Sequence, residues 1–149
     1  MKLLFVCLGN ICRSPVAETI MKEKVSNKDV YIDSAGLISI HEGNSSDPRS
    51  IESAKNRGYH VTSKSRMISS EDFENFDYII AMDPSNIKRL HELRPAHIDK
   101  NKILLMSDFL STFQHSEIPD PYYGNSEDFE LVIDLLEEAT VELAKHLNI

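Results

Sequence analysis

The chain has 149 residues, a formal net charge of −8 and 41% hydrophobic residues. This length suits a single compact domain, so we expect one domain over residues 1–149 with a buried core. The acidic charge argues against nucleic-acid binding, and the absence of any long apolar run argues against a membrane span.

The cysteine content and the first residues predict the compartment. Two cysteines are too few for a disulfide framework, and a site that depends on a thiol suits a reducing cytosol. Met1-Lys2 leads straight into an apolar run, which leaves no room for a signal peptide. We therefore expect a cytoplasmic protein.

The predicted elements alternate between strands and helices. Leu3-Leu4-Phe5-Val6 is typical of a buried strand, and Pro15 with apolar residues at helical spacing predicts a helix that starts near Ser14. The next elements are a strand over 30–32 that ends in Asp33-Ser34-Ala35-Gly36, an irregular loop over 37–47, and helices over 47–56 and 69–76. A strand over 77–82, a helix over 83–93, a strand over 102–106 and a helix from about 126 follow.

This alternation predicts an α/β fold, doubly wound around a four-stranded parallel sheet with helices on both faces. Ligands of such sheets bind beyond the carboxyl ends of the strands. Cys7, Ser34 and Asp83 fall at these ends. The pattern of elements alone therefore gathers three polar side chains at one rim.

The segment between the first strand and the first helix is Cys7-Leu8-Gly9-Asn10-Ile11-Cys12-Arg13-Ser14-Pro15. A loop of this length can curl so that its backbone N–H groups point at one centre, and the N-terminus of the following helix completes an anion site. Gly9 and Asn10 tolerate the positive φ that a tight curl demands. Arg13 offers a planar fork of donors to phosphate oxygens, and with the helix dipole it favours a nucleophilic thiolate at Cys7.

Ser14 is placed to hydrogen-bond the sulfur of Cys7, which would hold the thiolate and later help it leave. The alternative interpretation is that Cys7 and Cys12 are small buried apolar residues, as most intracellular cysteines are. The Gly-Asn pair inside the loop and the Arg-Ser-Pro sequence at its end favour the anion site.

The second chemical feature is Asp120-Pro121-Tyr122-Tyr123-Gly124. The other Asp-Pro pairs, at 47 and 83, precede helical sequence and predict N-caps, whereas this pair precedes residues that break a helix. An aspartic acid on such a loop could protonate a leaving oxygen and then take a proton from water. Tyr122 and Tyr123 could wall a slot for an aryl group. The alternative is an ordinary surface turn.

The chain resembles the low-molecular-weight protein tyrosine phosphatase family. The resemblance rests on Val6 to Pro15, Asp33-Ser34-Ala35-Gly36, Asp47-Pro48-Arg49, the segment 76–83 and Asp120-Pro121-Tyr122-Tyr123-Gly124, in the order and spacing of the family. It implies that Cys7 is the nucleophile, Arg13 the phosphate clamp and Asp120 the general acid and base. It also implies a group of residues that bind phosphate or support the loop: Leu8, Gly9, Asn10, Ile11, Cys12, Ser14, Ser34 and Asp83.

Other positions are interpreted beside this resemblance. Cys12 matches a second loop cysteine that can pair with an oxidised Cys7 and so intercept a sulfenic acid, although a buried loop filler is equally compatible. Ile40 aligns where many relatives carry an aromatic crevice wall, so we expect an altered preference for aromatic esters. His41 and His60 are expected to face solvent. The mechanism needs no metal and no other cofactor.

Together these observations predict a phosphatase that hydrolyses phosphotyrosine in proteins, and aryl phosphates, through a phosphocysteine. We expect a monomer that is inhibited by oxyanions such as phosphate or vanadate. An arsenate reductase uses a similar loop, but it passes electrons through cysteines outside the loop, and this sequence has none there. A phosphocarrier domain would not need Arg13 or Asp120, and a non-catalytic phosphoprotein-binding relative would not need Cys7.

Overall fold

A computed structural model describes residues 1–26 and 29–149. The strands are β1 (Lys2–Cys7), β2 (Tyr31–Gly36), β3 (Tyr78–Ala81) and β4 (Ile103–Leu105). The helices are α1 (Ser14–Lys24), α2 (Pro48–Lys55), α3 (Ser70–Asn75), α4 (Pro84–Leu93) and α5 (Ser126–Leu147), with 3-10 turns at Lys100–Lys102 and Met106–Phe109. The elements follow the predicted order, and the two short turns are additions that flank β4.

The strands form one parallel sheet in the order β2-β1-β3-β4. Leu3 pairs with Ile32 on one side of β1 and with Tyr78 on the other, so β1 lies in the interior of the sheet. Cys7, the last residue of β1, pairs with Gly36 at the end of β2. The predicted doubly wound α/β fold is confirmed.

The two faces of the sheet carry separate apolar clusters. Leu3 and Phe5 belong to the cluster that contains residues of α1 and α5, whereas Leu4 and Val6 belong to the cluster that contains residues of α3 and α4. All four side chains are fully buried. A central parallel strand buried on both faces needs a continuous apolar run, which explains why the sequence here does not alternate.

Two of the three Asp-Pro pairs start helices and the third lies in a loop, as the sequence predicts. The side chain of Asp47 accepts a hydrogen bond from the N–H of Arg49 at 2.9 Å, and that of Asp83 accepts one from the N–H of Asn86 at 2.8 Å. Both aspartates cap helices whose first turn holds the proline. Asp120 lies in a loop instead.

No helix in the described ranges is long and apolar enough to cross a bilayer. Helix α5 has 22 residues, but it carries charged side chains along one side and buries the other, including Phe129, Val132 and Leu136. Its apolar face completes the core as predicted.

Candidate active site

The cysteine loop, residues 7–13, connects β1 to α1 at the carboxyl end of the sheet. Cys7 is 2% exposed, and the loop turns sharply at Asn10, which has a φ of 55°. Of the two residues predicted to allow a positive φ, only Asn10 adopts one. Gly9 is closely approached by a side chain instead, because a Cβ there would lie 3.1 Å from the ring of His41.

The carbonyl groups and the N–H groups of the cysteine loop differ in their hydrogen-bond partners. Its carbonyl oxygens accept hydrogen bonds from groups outside the loop: those of Cys7 and Leu8 from Leu37, that of Gly9 from Ser65, that of Ile11 from Asp47 and that of Cys12 from Ser50. In the described part of the chain, the N–H groups of residues 8–13 donate to no protein acceptor. Because the carbonyls point outward, the N–H groups are left to face a common centre, as in an anion-binding nest.

Asn10 orients the side chains behind this loop. The N–H of Arg66 donates to Asn10 Oδ1 at 3.0 Å, so the amide nitrogen of Asn10 must be the group that donates to Ser14 Oγ (2.8 Å) and Ser34 Oγ (2.9 Å). The Ser14 hydroxyl lies 3.1 Å from Cys7 Sγ. Since its oxygen already accepts from Asn10, its hydrogen is free to point at the sulfur.

Sequence reasoning missed Glu18, which continues this network. Its side chain is buried, accepts from Ser34 Oγ at 2.5 Å and forms an ion pair with Lys22. The spacing to Lys22 resembles an ordinary surface pair on a helix. The available signal was its position four residues after Ser14, which places both side chains on the face of α1 that meets the loop.

Arg13 is 2% exposed and joins three segments of the chain. One terminal nitrogen donates to Asp83 Oδ2 at 2.5 Å and to the carbonyl of Ile118 at 3.1 Å, and the other lies 3.4 Å from Asp120 Oδ2. Burial alone would lower the pKa of Arg13, but the charges of Cys7, Asp83 and Asp120 outweigh it and raise that pKa. The guanidinium is therefore a permanent cation beside the sulfur.

Asp83 is held as a carboxylate. Burial alone would raise its pKa, but the hydrogen bonds from Arg13 and from the N–H of Asn86 outweigh burial and hold that pKa below its usual value. The predicted support of the loop by Ser34 and Asp83 thus takes two forms, since Ser34 bonds Asn10 and Asp83 bonds Arg13.

The aspartate loop, residues 118–124, covers one side of this centre. Its first residue donates through Ile118 N–H to the carbonyl of Met82 at 2.8 Å. The side chain of Asp120 is 42% exposed and accepts from the N–H of Tyr122 at 3.2 Å. The rings of Tyr122 and Tyr123 meet edge to face at 4.9 Å. Asp120 is therefore accessible to a substrate and to water.

The two loops enclose a cavity of about 250 Å³. Cys7, Arg13 and Asp120 line it, and its walls are mainly apolar: Leu8, Ile11, Ile38, Ile40, Tyr122 and Tyr123. Ile40 is 75% exposed and Tyr123 is 96% exposed, so these two form the rim of the opening. The residues predicted to form a substrate crevice thus share one opening above the cysteine.

The two histidines differ. His41 lines the cavity, and its ring lies 6.3 Å from that of Tyr122, which differs from the expected solvent-facing position. His60 is exposed, as expected. The ring of His41 lies against Gly9, where a Cβ would be 3.1 Å from it.

Cys12 belongs to the cysteine loop and lines the cavity. It is 4% exposed, and burial, with the charge of Asp47, raises the pKa of its thiol to about 12. The described residues contain no group of three or more His, Cys, Asp or Glu side chains placed to hold a metal ion. Cys7, Arg13 and Asp120 line the same cavity.

Comparisons with known proteins agree on one family. The family model described as low molecular weight phosphotyrosine protein phosphatase matches residues 2–149. A protein tyrosine phosphatase structure from Entamoeba histolytica, with Hepes in its active site, is 49% identical at a TM-score of 0.96 and covers 99% of this chain and 97% of its own.

Two further relatives show the breadth of the match. The low molecular weight phosphotyrosine protein phosphatase of Schizosaccharomyces pombe is 41% identical over 133 residues, which cover 86% of this chain and 85% of the relative. A structure of a Drosophila arginine phosphatase is 35% identical at a TM-score of 0.93, and the match covers 100% of this chain and 99% of that one. This chain belongs to the low molecular weight phosphotyrosine protein phosphatase family.

Proposed function

We propose that this phosphatase cleaves phosphotyrosine in proteins through a covalent intermediate on Cys7. In the first step the Cys7 thiolate attacks phosphorus, so that a P–S bond forms as the P–O bond to the tyrosine breaks. Arg13 and the N–H groups of residues 8–13 hold the phosphoryl oxygens through the transition state. Asp120 gives its proton to the leaving phenolic oxygen.

In the second step a water molecule attacks the phosphocysteine. Asp120, now a carboxylate, takes a proton from that water, the P–S bond breaks and inorganic phosphate is released. The hydroxyl of Ser14, 3.1 Å from Cys7 Sγ, stabilises the sulfur as it leaves as a thiolate. No redox partner or metal takes part in either step.

The single observation that carries this proposal is the polarity of the cysteine loop. Outward carbonyls, inward N–H groups, a buried guanidinium and a sulfur that faces a hydroxyl are the components that a transferring phosphoryl group requires. An arsenate reductase would share this loop, but its electrons must pass through further cysteines, and the chain has two cysteines in all, Cys7 and Cys12. A binding module would not need Asp120 beside Arg13.

The walls of the cavity favour an aryl ester. Ile11, Ile38 and Tyr122 offer apolar contact to a phenyl ring, whereas a phosphorylated guanidinium carries polar N–H groups that these side chains cannot satisfy. Ile40 supplies a flexible aliphatic edge at the rim in place of a flat aromatic wall. The arginine phosphatase among the structural relatives makes phosphoarginine the alternative substrate to test.

A panel of phosphorylated substrates tests the proposal. We expect phosphotyrosine peptides and p-nitrophenyl phosphate to be hydrolysed at least about 100-fold faster than phosphoserine or phosphoarginine peptides, since these lack an aryl group for the apolar walls. Orthovanadate and phosphate should inhibit competitively. Faster release of phosphate from phosphoarginine would contradict the assigned substrate, and activity that survives in Cys7→Ser would contradict the assigned nucleophile.

We further propose that the protein works as a cytoplasmic monomer. Its two buried, unpaired thiols suit a reducing compartment. Pairing of Cys12 with an oxidised Cys7 remains a prediction, and the raised pKa of Cys12 favours its protonated thiol. Peptide mapping after peroxide treatment would detect the Cys7–Cys12 disulfide, and sedimentation would report the oligomeric state.

A further inference from the structure

We propose that Arg49 is a positioning residue that fixes the aspartate loop relative to the cysteine loop and so sets the place of Asp120. The proposal rests on the acid and base role proposed for Asp120. Arg49 does not line the cavity. It acts through its neighbours.

The first link ties Arg49 to the cysteine loop. The N–H of Asp47 donates to the carbonyl of Ile11 at 2.9 Å, which attaches the start of α2 to the loop. The carboxylate of Asp47 then accepts from the backbone N–H of Arg49 at 2.9 Å, from Nε at 3.1 Å and from a terminal nitrogen at 2.9 Å. A guanidinium held by two parallel bonds has a fixed orientation.

The second link ties Arg49 to the aspartate loop. The same terminal nitrogen donates to the carbonyl of Tyr122 at 3.0 Å, and the guanidinium lies 5.6 Å from the centre of the Tyr122 ring and 4.6 Å from that of Phe129. The N–H of Tyr122 in turn donates to Asp120 Oδ1 at 3.2 Å. A continuous chain of contacts therefore runs from Ile11 to Asp120.

The aspartate loop has few other hydrogen bonds to the rest of the described chain, although the ring of Tyr122 also packs against Ile11, Cys12 and Phe129. Its upstream end is fixed at Ile118, which bonds Met82 through its N–H and Arg13 through its carbonyl. Between residues 119 and 124, the described hydrogen bonds from outside the loop come from Arg13 to Asp120 and from Arg49 to Tyr122. Without Arg49, the downstream half of the loop would lose the one hydrogen bond that it receives from α2 among the described residues.

The chain offers a matched control in Arg57. Arg49 lies in α2, and Arg57 follows shortly after its end. Both carry a partly exposed guanidinium, and both contact α5. Its partners are Glu130, Asp134 and Glu137, at 2.6, 2.7 and 3.2 Å, and all three belong to α5. Arg57 therefore joins the same two helices without any bond to the aspartate loop.

The test is the dependence of kcat/KM on the leaving group, because kcat/KM reports the step that expels the leaving group, whereas hydrolysis of the phosphocysteine is common to all substrates. In Arg49→Gln, Asp120 is less often in place, so kcat/KM for phenyl phosphate and phosphotyrosine should fall about 10-fold or more. The fall for p-nitrophenyl phosphate should stay below about 3-fold, because that leaving group needs little protonation. Arg57→Gln should leave the ratio of the two rates unchanged, and the melting temperatures of both variants verify folding.

A double variant separates this inference from the proposed function. If Arg49 acts through Asp120, then Arg49→Gln should add no further leaving-group bias to Asp120→Ala. Equal slowing of both ester classes in Arg49→Gln would overturn the positioning role. If Asp120→Ala itself showed no leaving-group bias, the failure would lie in the proposed acid and not in Arg49.

Discussion

The cysteine loop and the aspartate loop differ in how firmly they are held. Asn10, Arg13 and Ser14 of the first region are at most 2% exposed, and named donors fix its carbonyls. In the second region Asp120 is 42% exposed and Tyr123 is 96% exposed. Stabilising charge on a phosphoryl group requires dipoles that are already oriented and shielded from water, whereas proton transfer requires access for a bulky leaving group and for water.

This difference separates the part of the site that binds the phosphoryl group from the part proposed to transfer the proton. The anion site is complete within one short segment and its supports, so we expect it to survive changes in the aspartate loop. The proton donor depends on contacts that span distant parts of the chain, such as that between Arg49 and Tyr122. The following predictions concern the cysteine loop and the side chains that support it, in order of decreasing effect.

The largest effect is expected from Cys7→Ser. A serine hydroxyl is a far weaker nucleophile than a thiolate, so kcat for p-nitrophenyl phosphate should fall by about 10⁴-fold or more. Phosphate should still raise the melting temperature of the variant, because the N–H groups and Arg13 remain. Normal turnover would exclude Cys7 as the nucleophile, and the loss of phosphate stabilisation would show that the loop is not preformed.

A pair of substitutions at Asn10 separates its backbone role from its side-chain role. Asn10→Gly keeps the positive φ and removes the amide, while Asn10→Ala removes the amide and adds strain of about 1 kcal/mol. Both should lower kcat by about 10- to 100-fold, because Ser14 loses the partner that directs its hydroxyl to Cys7. Urea unfolding should find Asn10→Ala the less stable of the two. Full activity in Asn10→Gly would mean that only the turn matters.

A smaller effect should appear in how the contribution of Asp83 to the free energy of unfolding depends on pH. The pKa of Asp83 is held below its usual value in the folded state, so its ion pair with Arg13 contributes fully above about pH 4. That contribution is lost as the pH falls through the lower folded-state pKa. Asp83→Asn should therefore lower the free energy of unfolding by about 1–3 kcal/mol at pH 7, and by less at pH 3.

Asp134→Asn is the control for this measurement. Asp134 pairs with the partly exposed Arg57, and a surface pair contributes about 0–1 kcal/mol. Urea unfolding of both variants between pH 7 and 3 gives the comparison. A deficit of Asp83→Asn that is the same at every pH would contradict the role given to the Asp83 carboxylate.

The sequence predicts the cysteine loop better than the contacts that place the aspartate loop. Strand, loop and helix follow one another locally from Leu3 to Lys24, so periodicity and the proline suffice. Arg49 and Tyr122 are 73 positions apart, and no local pattern relates them. Glu18 was missed because its spacing to Lys22 resembles a solvated pair, whereas tertiary packing against Ser34 buries it.

The close contact at Gly9 also arises from tertiary packing. The sequence suggests a backbone reason for a glycine in a tight turn, and the structure gives a steric one, the nearby ring of His41. Ile40 lines the cavity at its exposed rim, but its effect on substrate choice depends on the shape of the opening. Local chemistry is therefore predictable from the sequence, and side-chain contacts between distant segments are not.

The most direct test of the account is rapid quenching of Asp120→Ala with p-nitrophenyl phosphate. The good leaving group departs without an acid, but water then lacks its base, so we predict a burst of about one p-nitrophenolate per chain. Mass spectrometry should find the phosphoryl group on the peptide that contains Cys7. A linear time course with no phosphorylated Cys7, or a phosphoryl group on another residue, would contradict the two-step mechanism.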